Sequence, residues 1–222
     1  MRSISAAGRR FFEGHAYNLG VITLAIALGG IGLAYAIDGA VRHIADQSTP
    51  TDGRMFARTI ADRTLTIPSA WFRTEDVASG DFSRQVDLSV MLPLGAEGSP
   101  VRVDVSLMPR SAVRPSSGLL DGVYLHMFQP QQVSGPPGLI GKPLRNMDGY
   151  SGETVWYDAL SAEPFVAKCM VPVAEGAPAQ CLRAVYLQTG IAAVYSFDQS
   201  LLWAWRDFDA EMSEKLRTIG AL

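Results

Sequence analysis

Hydrophobic and polar residues follow three different patterns along the chain, and each pattern predicts a different kind of element. The segment at 16–37 contains no Asp, Glu, Lys or Arg. From residue 54 onward, short apolar runs alternate with polar residues, which is the period of strands with one solvated face. After Asp198, apolar residues recur every three or four positions, as on one face of a helix. We therefore expect a membrane helix, an antiparallel sheet and a C-terminal helix, in that order.

The charge-free segment is long enough to cross a bilayer. Its 22 residues would form a helix of ~33 Å, against a hydrocarbon core of ~30 Å. Tyr17 and Tyr35 lie near its two ends, where aromatic side chains suit the membrane interface. A buried core helix is the alternative, and the length of the segment disfavours it. The sequence predicts a transmembrane helix at 16–37, between a tail at 1–15 and a linker at 38–53.

The charges beside this helix predict its orientation. Arg2, Arg9 and Arg10, with Glu13, give the first 15 residues a net charge of +2, in a chain whose total is -3. Basic residues are retained on the cytoplasmic side, so the tail should be cytoplasmic and the domain at 54–222 exported. The segment resembles the anchors of bacterial single-pass inner-membrane proteins. That resemblance implies an inner-membrane location with a periplasmic domain, and it assigns no role to a residue.

A removable signal sequence is the alternative to a permanent anchor. Ala34-Tyr35-Ala36 matches the small-residue pattern that precedes signal cleavage. The charge-free segment is longer than the 7–15 residues typical of a signal core, however. Length therefore favours an uncleaved anchor, while cleavage after Ala36 stays open.

Small residues on one face of the predicted helix indicate a contact with another helix. They recur at intervals of three and four, and a polar amide lies at the start of the same face; the five residues are Asn18, Ala25, Gly29, Gly32 and Ala36. Small side chains let two membrane helices approach closely, and an amide can donate a hydrogen bond across the contact. We therefore expect a second membrane protein as a partner, although glycine and alanine are also common in membrane helices generally.

The region from 54 onward predicts a sheet of short strands. Apolar residues alternate with polar ones at 86–91 and 101–107, and a turn-rich stretch between them favours a hairpin. Further strands are predicted at 55–60, 123–128, 154–157, 165–171, 182–187 and 191–197. The segment at 130–145 contains four prolines and is expected to be a surface loop. Short strands in close succession predict an antiparallel sheet.

The C-terminal helix should begin after Asp198 and end near Thr218. Asp198 suits an N-cap, because its side chain can accept a hydrogen bond from a backbone N–H of the first turn. The apolar stripe of this helix consists of Leu201, Trp205, Phe208, Met212 and Leu216. Packing of that stripe on the sheet gives an α+β domain. Trp203 falls off the stripe, which predicts either a second contact or partial exposure.

The only two cysteines, Cys169 and Cys181, flank a turn region between two predicted strands. If the segment folds back about Glu175, the two thiols face each other, and an oxidising compartment would join them. Free buried thiols or a metal pair are the alternatives. A closed zinc site needs four ligands, and no histidine lies near them in sequence, so the disulfide is favoured.

Composition and motifs give little indication of a catalytic, cofactor or metal site. A net charge of -3 gives no case for nucleic acid, and we predict no cofactor, metal or catalytic residue. Residues 149–153 fail the G-x-S-x-G pattern, because the second glycine comes one position early. The sequence therefore favours a non-catalytic accessory, assembly or structural subunit of a larger membrane complex. The alternative is an exported hydrolase or ligand-binding domain that uses His126 and the loop around Pro136.

Overall fold

The computed structural model describes residues 53–73, 83–146, 152–172, 176–187 and 190–222. The predicted tail, the transmembrane helix at 16–37 and nearly all of the linker lie outside the described residues. Asn18, Ala25, Gly29, Gly32 and Ala36 of the predicted helix contact, and Arg2, Arg9 and Arg10 of the predicted orientation, lie there too. In the part of the chain that is described, no helix has the length and apolar character needed to span a membrane.

Antiparallel strands are the main regular elements of the described residues. In chain order the strands are β1 (Met55–Ile60), β2 (Arg63–Pro68), β3 (Val86–Leu92), β4 (Val101–Pro109), β5 (Ile140–Pro143), β6 (Thr154–Tyr157), β7 (Val166–Met170), β8 (Gln180–Tyr186) and β9 (Ile191–Asp198). β1 and β2 form a separate hairpin, and the other seven form one sheet in the order β3-β4-β9-β8-β7-β6-β5. Every neighbouring pair is antiparallel.

One face of the large sheet carries the main core. The registers place Leu88 opposite Val105, and Val105 opposite Tyr195, so these three side chains lie on the same face. A C-terminal helix, α3 (Trp205–Thr218), covers this face and buries Phe208, which packs against Tyr195, Phe197 and Phe165. The predicted α+β class, an antiparallel sheet with helices packed on it, is confirmed.

A short helical segment covers part of the opposite face. It consists of α1 (Ser116–Leu119), a π-helical turn (Leu120–Tyr124) and α2 (Leu125–Met127). Leu120 and Tyr124, four positions apart, are buried against Val155 and Val166 of the sheet. The strand predicted at 123–128 is therefore wrong. Alternate apolar residues within 123–128 resembled a strand. The buried residues, Leu120 and Tyr124, instead have the four-residue spacing of a helix, and this spacing begins before residue 123.

The remaining strand predictions agree with the structure to within a few residues at each end, but two strands were missed. β2 follows a two-residue turn that pairs Ile60 with Arg63. β5 lies inside the proline-rich segment at 130–145, which was expected to be a loop. β5 is an edge strand, where Pro143 is tolerated because an edge leaves one row of backbone groups outside the ladder.

Candidate binding groove

A surface groove with a volume of about 380 Å³ lies beside the start of the C-terminal helical region. Its lining comes from the loop at 133–136, Trp156 of β6, residues 178–179 before β8, and residues 198–200 with Leu202 and Trp203. We call it the Trp203 groove. These segments are far apart in sequence, so the sheet topology brings them together.

Trp203 belongs to a 3-10 helix, Gln199–Ala204, that precedes α3. Asp198 caps this helix, as predicted, because its carboxylate accepts a hydrogen bond of 2.7 Å from the Ser200 N–H. Leu201 and Leu202 turn inward and are buried, and the next residue, Trp203, consequently points outward with 69% of its surface exposed. A tryptophan so exposed is unusual, because its large apolar surface is normally buried. Of the two alternatives left by the sequence, partial exposure is the one observed.

The buried wall of the groove is Trp156, which is only 2% exposed. Its ring lies against Gly135 and Gly141, where an added Cβ would overlap it. The two glycines therefore let the backbone pass directly over the indole. The Trp156 Nε1–H has no hydrogen-bond acceptor within the described part of the chain.

The predicted disulfide joins Cys169 of β7 to Cys181 of β8. The two residues are directly opposite in the strand register, and both are buried. Residues 178–179, which line the groove, come immediately before β8. The Ala179 carbonyl accepts a hydrogen bond of 2.9 Å from the Gln199 N–H. The disulfide thus holds the hairpin that forms one wall of the groove, and a backbone hydrogen bond joins that wall to the helix carrying Trp203.

A buried arginine that does not line the groove connects α3 to the sheet. Arg183 of β8 donates two hydrogen bonds to the Asp209 carboxylate, at 3.1 and 2.6 Å, and one of 3.2 Å to the Val166 carbonyl. Its guanidinium also lies 4.4 Å from the centre of the Phe165 ring. Burial raises the pKa of the neighbouring Tyr195, and the Asp209 carboxylate raises that pKa further. This cluster is a structural attachment for the helix.

The residues that the sequence proposed for an enzyme do not come together. His126 lies exposed at the end of α2, rather than on a strand as predicted, and its carbonyl accepts a hydrogen bond from Arg145. Pro136 lines the Trp203 groove, but His126 does not. Residues 149–151 lie outside the described residues. Glu153, which is described, pairs with Lys168 at 2.7 Å.

The groove itself was not predicted from the sequence. Its lining comes from four segments, and single-sequence patterns give no information about which loops meet. The one available signal was the departure of Trp203 from the apolar stripe of the C-terminal helix. Within the described residues, no group of three or more His, Cys, Asp or Glu side chains is arranged to hold a metal ion.

Comparison with known proteins gives one structural similarity. No family model and no curated protein sequence matches the chain. Among solved structures, the chain is similar to Smlt3025, an immunity protein of the Stenotrophomonas maltophilia type IV secretion system. The sequence identity is 10% and the TM-score 0.49, over 73% of this chain and 91% of that one. A similarity this weak transfers neither a partner nor an activity to this chain.

Proposed function

We propose that the chain is a single-pass inner-membrane protein whose periplasmic α+β domain binds a partner protein and serves as a non-catalytic accessory subunit of a membrane complex. The N-terminal helix anchors it, and its small-residue face packs against a helix of the same complex. The exported domain presents the Trp203 groove to the partner.

The disulfide supports the exported location. Disulfides form and persist in oxidising compartments such as the bacterial periplasm, and are rare where the thiol pool is reducing. Cys169 and Cys181 are paired in register and buried, which is the arrangement of a structural bond. This support is independent of the arginines beside the charge-free segment.

The exposed Trp203 at the groove is the observation that carries the binding role. Tryptophan is enriched among the residues that dominate protein–protein binding energy, because it contributes a large rigid contact area. Here the ring stands beside a concave surface whose lining mixes apolar and polar residues, so a partner can bury the ring and the concave surface together. Of the other exposed large apolar side chains among the described residues, Val133 is the one that also lines this groove.

Site-specific photo-crosslinking tests this role in the full chain within its own membrane. A photoreactive phenylalanine analogue replaces Trp203 in one variant and Met91 in a control variant. Met91 is 50% exposed on the edge strand β3 and, by the strand registers, lies on the sheet face opposite Trp156. We expect a single adduct of defined mass from position 203 and none from position 91.

The adduct must also correspond to a physiological complex. The same partner should co-purify with the wild-type chain in mild detergent, and Trp203→Ala should reduce its recovery. Replacement of Gly29 and Gly32 with leucine should reduce recovery independently, if the helix contact contributes. Equal crosslinking from both positions, or full recovery with Trp203→Ala, would show that the groove is not the docking site.

A further inference from the structure

We propose that the Trp203 groove binds the cationic side chain of an arginine or lysine in an extended segment of the partner protein. This inference deepens the proposed function and rests on it. It names the chemistry that the groove selects, whereas the proposed function requires only that a protein docks there.

The charge of the lining is the first argument. Among the described residues that line the groove, Asp198 is the only ionisable one, and none of them is a lysine, arginine or histidine. A carboxylate or phosphate ligand would therefore meet a like charge without a compensating cation. A basic side chain would instead meet an opposite charge, and complementary charges across an interface select the partner.

The exposed indole is the second argument. The face of a tryptophan ring attracts cations more strongly than that of any other aromatic side chain. Across the described residues, no arginine or lysine lies over the Trp203 ring. Arg206, three positions further along, lies over the neighbouring Trp205 instead, 4.7 Å from its ring centre. Because 69% of the Trp203 surface is exposed, a cation from outside the domain can reach the ring.

The hydrogen bonding of Asp198 is the third argument. One carboxylate oxygen, Oδ1, caps the 3-10 helix through the Ser200 N–H at 2.7 Å. The second oxygen makes no hydrogen bond to the described residues. The side chain can therefore keep its structural hydrogen bond while the second oxygen accepts one from a guanidinium or ammonium group, and charge-assisted hydrogen bonds of this kind are stronger than neutral ones.

The shape of the groove favours an extended segment as the carrier of that cation. Gly135 lets the loop backbone pack directly on the Trp156 ring, so this part of the lining is backbone, with which an extended segment can form hydrogen bonds. A volume of about 380 Å³ is the size that accommodates one long side chain with the backbone that carries it. The apolar methylene groups of an arginine or lysine would lie along the apolar part of the lining, which includes Pro136 and Pro178.

Three blocked peptides test the inference with the full chain in mild detergent. Their sequences are Ala-Arg-Ala, Ala-citrulline-Ala and Ala-Glu-Ala, each with the same neutral fluorophore, and binding is followed by fluorescence anisotropy. Citrulline has nearly the shape and hydrogen-bonding groups of arginine but no charge, which isolates the cationic contribution. We expect the arginine peptide to bind about five-fold more tightly than either of the others.

Two variants and one control assign this preference to the groove. Asp198→Asn keeps an N-cap residue and removes the charge, and Trp203→Leu keeps apolar surface and removes the aromatic ring. Each should abolish most of the preference for arginine. Asp207→Asn changes the net charge equally at an exposed position on α3 that does not line the groove, and should preserve the preference.

The outcomes separate this inference from the proposed function. Equal binding of the arginine and citrulline peptides, or an arginine preference that survives both groove variants, would overturn the cationic inference. A partner crosslinked from position 203 would in that case still support the groove as a docking site. An arginine preference lost in both variants, without any partner at position 203, would instead support the cation site and contradict the proposed function.

Discussion

Reduction of the Cys169–Cys181 disulfide should destabilise the domain by about 3 kcal/mol. The two cysteines are separated by 12 positions, so the bond closes a loop of about 13 residues. In the chain-entropy treatment, a crosslink over ~13 residues removes about 10 cal/mol/K of entropy from the unfolded chain, or about 3 kcal/mol at room temperature. For a domain of this size, ~1 kcal/mol shifts the melting temperature by roughly 2–4 °C, which gives an expected loss of roughly 6–12 °C.

The measurement is thermal unfolding of the full chain in mild detergent, followed by circular dichroism with and without reductant. Alkylation and mass measurement first establish that the reductant has opened the bond. The matched control is the double variant Cys169→Ala/Cys181→Ala, whose melting temperature should not respond to reductant. This comparison matters because the double variant also loses buried packing, so its stability alone would overstate the contribution of the crosslink.

Two results would refute this reasoning. If the wild-type chain, shown to be reduced, melted at an unchanged temperature, the unfolded chain would gain no measurable freedom from opening the loop. If reductant lowered the melting temperature of the alanine variant equally, the effect would not come from this bond. A loss far above the expected range would indicate that the β7–β8 hairpin contributes packing that depends on the bond being intact.

Three further predictions concern the rest of the domain. Asp209→Ala should lower the free energy of unfolding by about 1–2 kcal/mol, because it leaves the Arg183 guanidinium buried without its carboxylate, although Asp209 is half-exposed and therefore partly screened. Chemical denaturation measures this, and Glu214→Ala, an exposed change on the same helix, should cost far less. Ala61→Gly should raise the melting temperature by a few degrees, since Ala61 has a φ of 51° in the β1–β2 turn and glycine adopts such angles without strain, so roughly 1 kcal/mol is recovered. Burial raises the pKa of Tyr195 in the folded state, so its contribution to stability should be complete below pH ~10 and decline above it by up to ~1.4 kcal/mol per pH unit, because only the unfolded tyrosine ionises there. Denaturation at pH 9, 10 and 11 should show a shallower decline for Tyr195→Phe.

Sequence patterns predicted most of the sheet because several of its strands alternate between buried and partly exposed residues. β3 and β4 alternate clearly, and their hairpin was predicted with nearly the observed bounds. β5 was missed because its four residues include a glycine and a proline, which normally indicate a loop. The segment at 123–128 was assigned as a strand because a six-residue window does not distinguish the two periods when a helix is short.

The disulfide could be predicted from the sequence and the groove could not, because only the disulfide depends on local chain reversal. Two cysteines that flank one turn are brought together by local chain reversal, which a single sequence can indicate. The Trp203 groove joins the loop at 133–136, Trp156, residues 178–179 and the start of the C-terminal helical region. Those contacts depend on strand order, and strand order follows from long-range packing that no local pattern contains.

Several contacts hold the walls of the groove in position, and this should lower the entropic cost of binding a ligand there. The Cys169–Cys181 bond holds one wall, and the Ala179 carbonyl joins that wall to the helix of Trp203. The opposite wall is held by a bridge between Val133 and Gly141. Binding to such a preorganised surface spends little free energy on ordering the domain. If a partner binds as proposed, the exposed Trp203 ring would contribute its contact area at a low entropic cost, which is the physical reason why this site was chosen for the proposal.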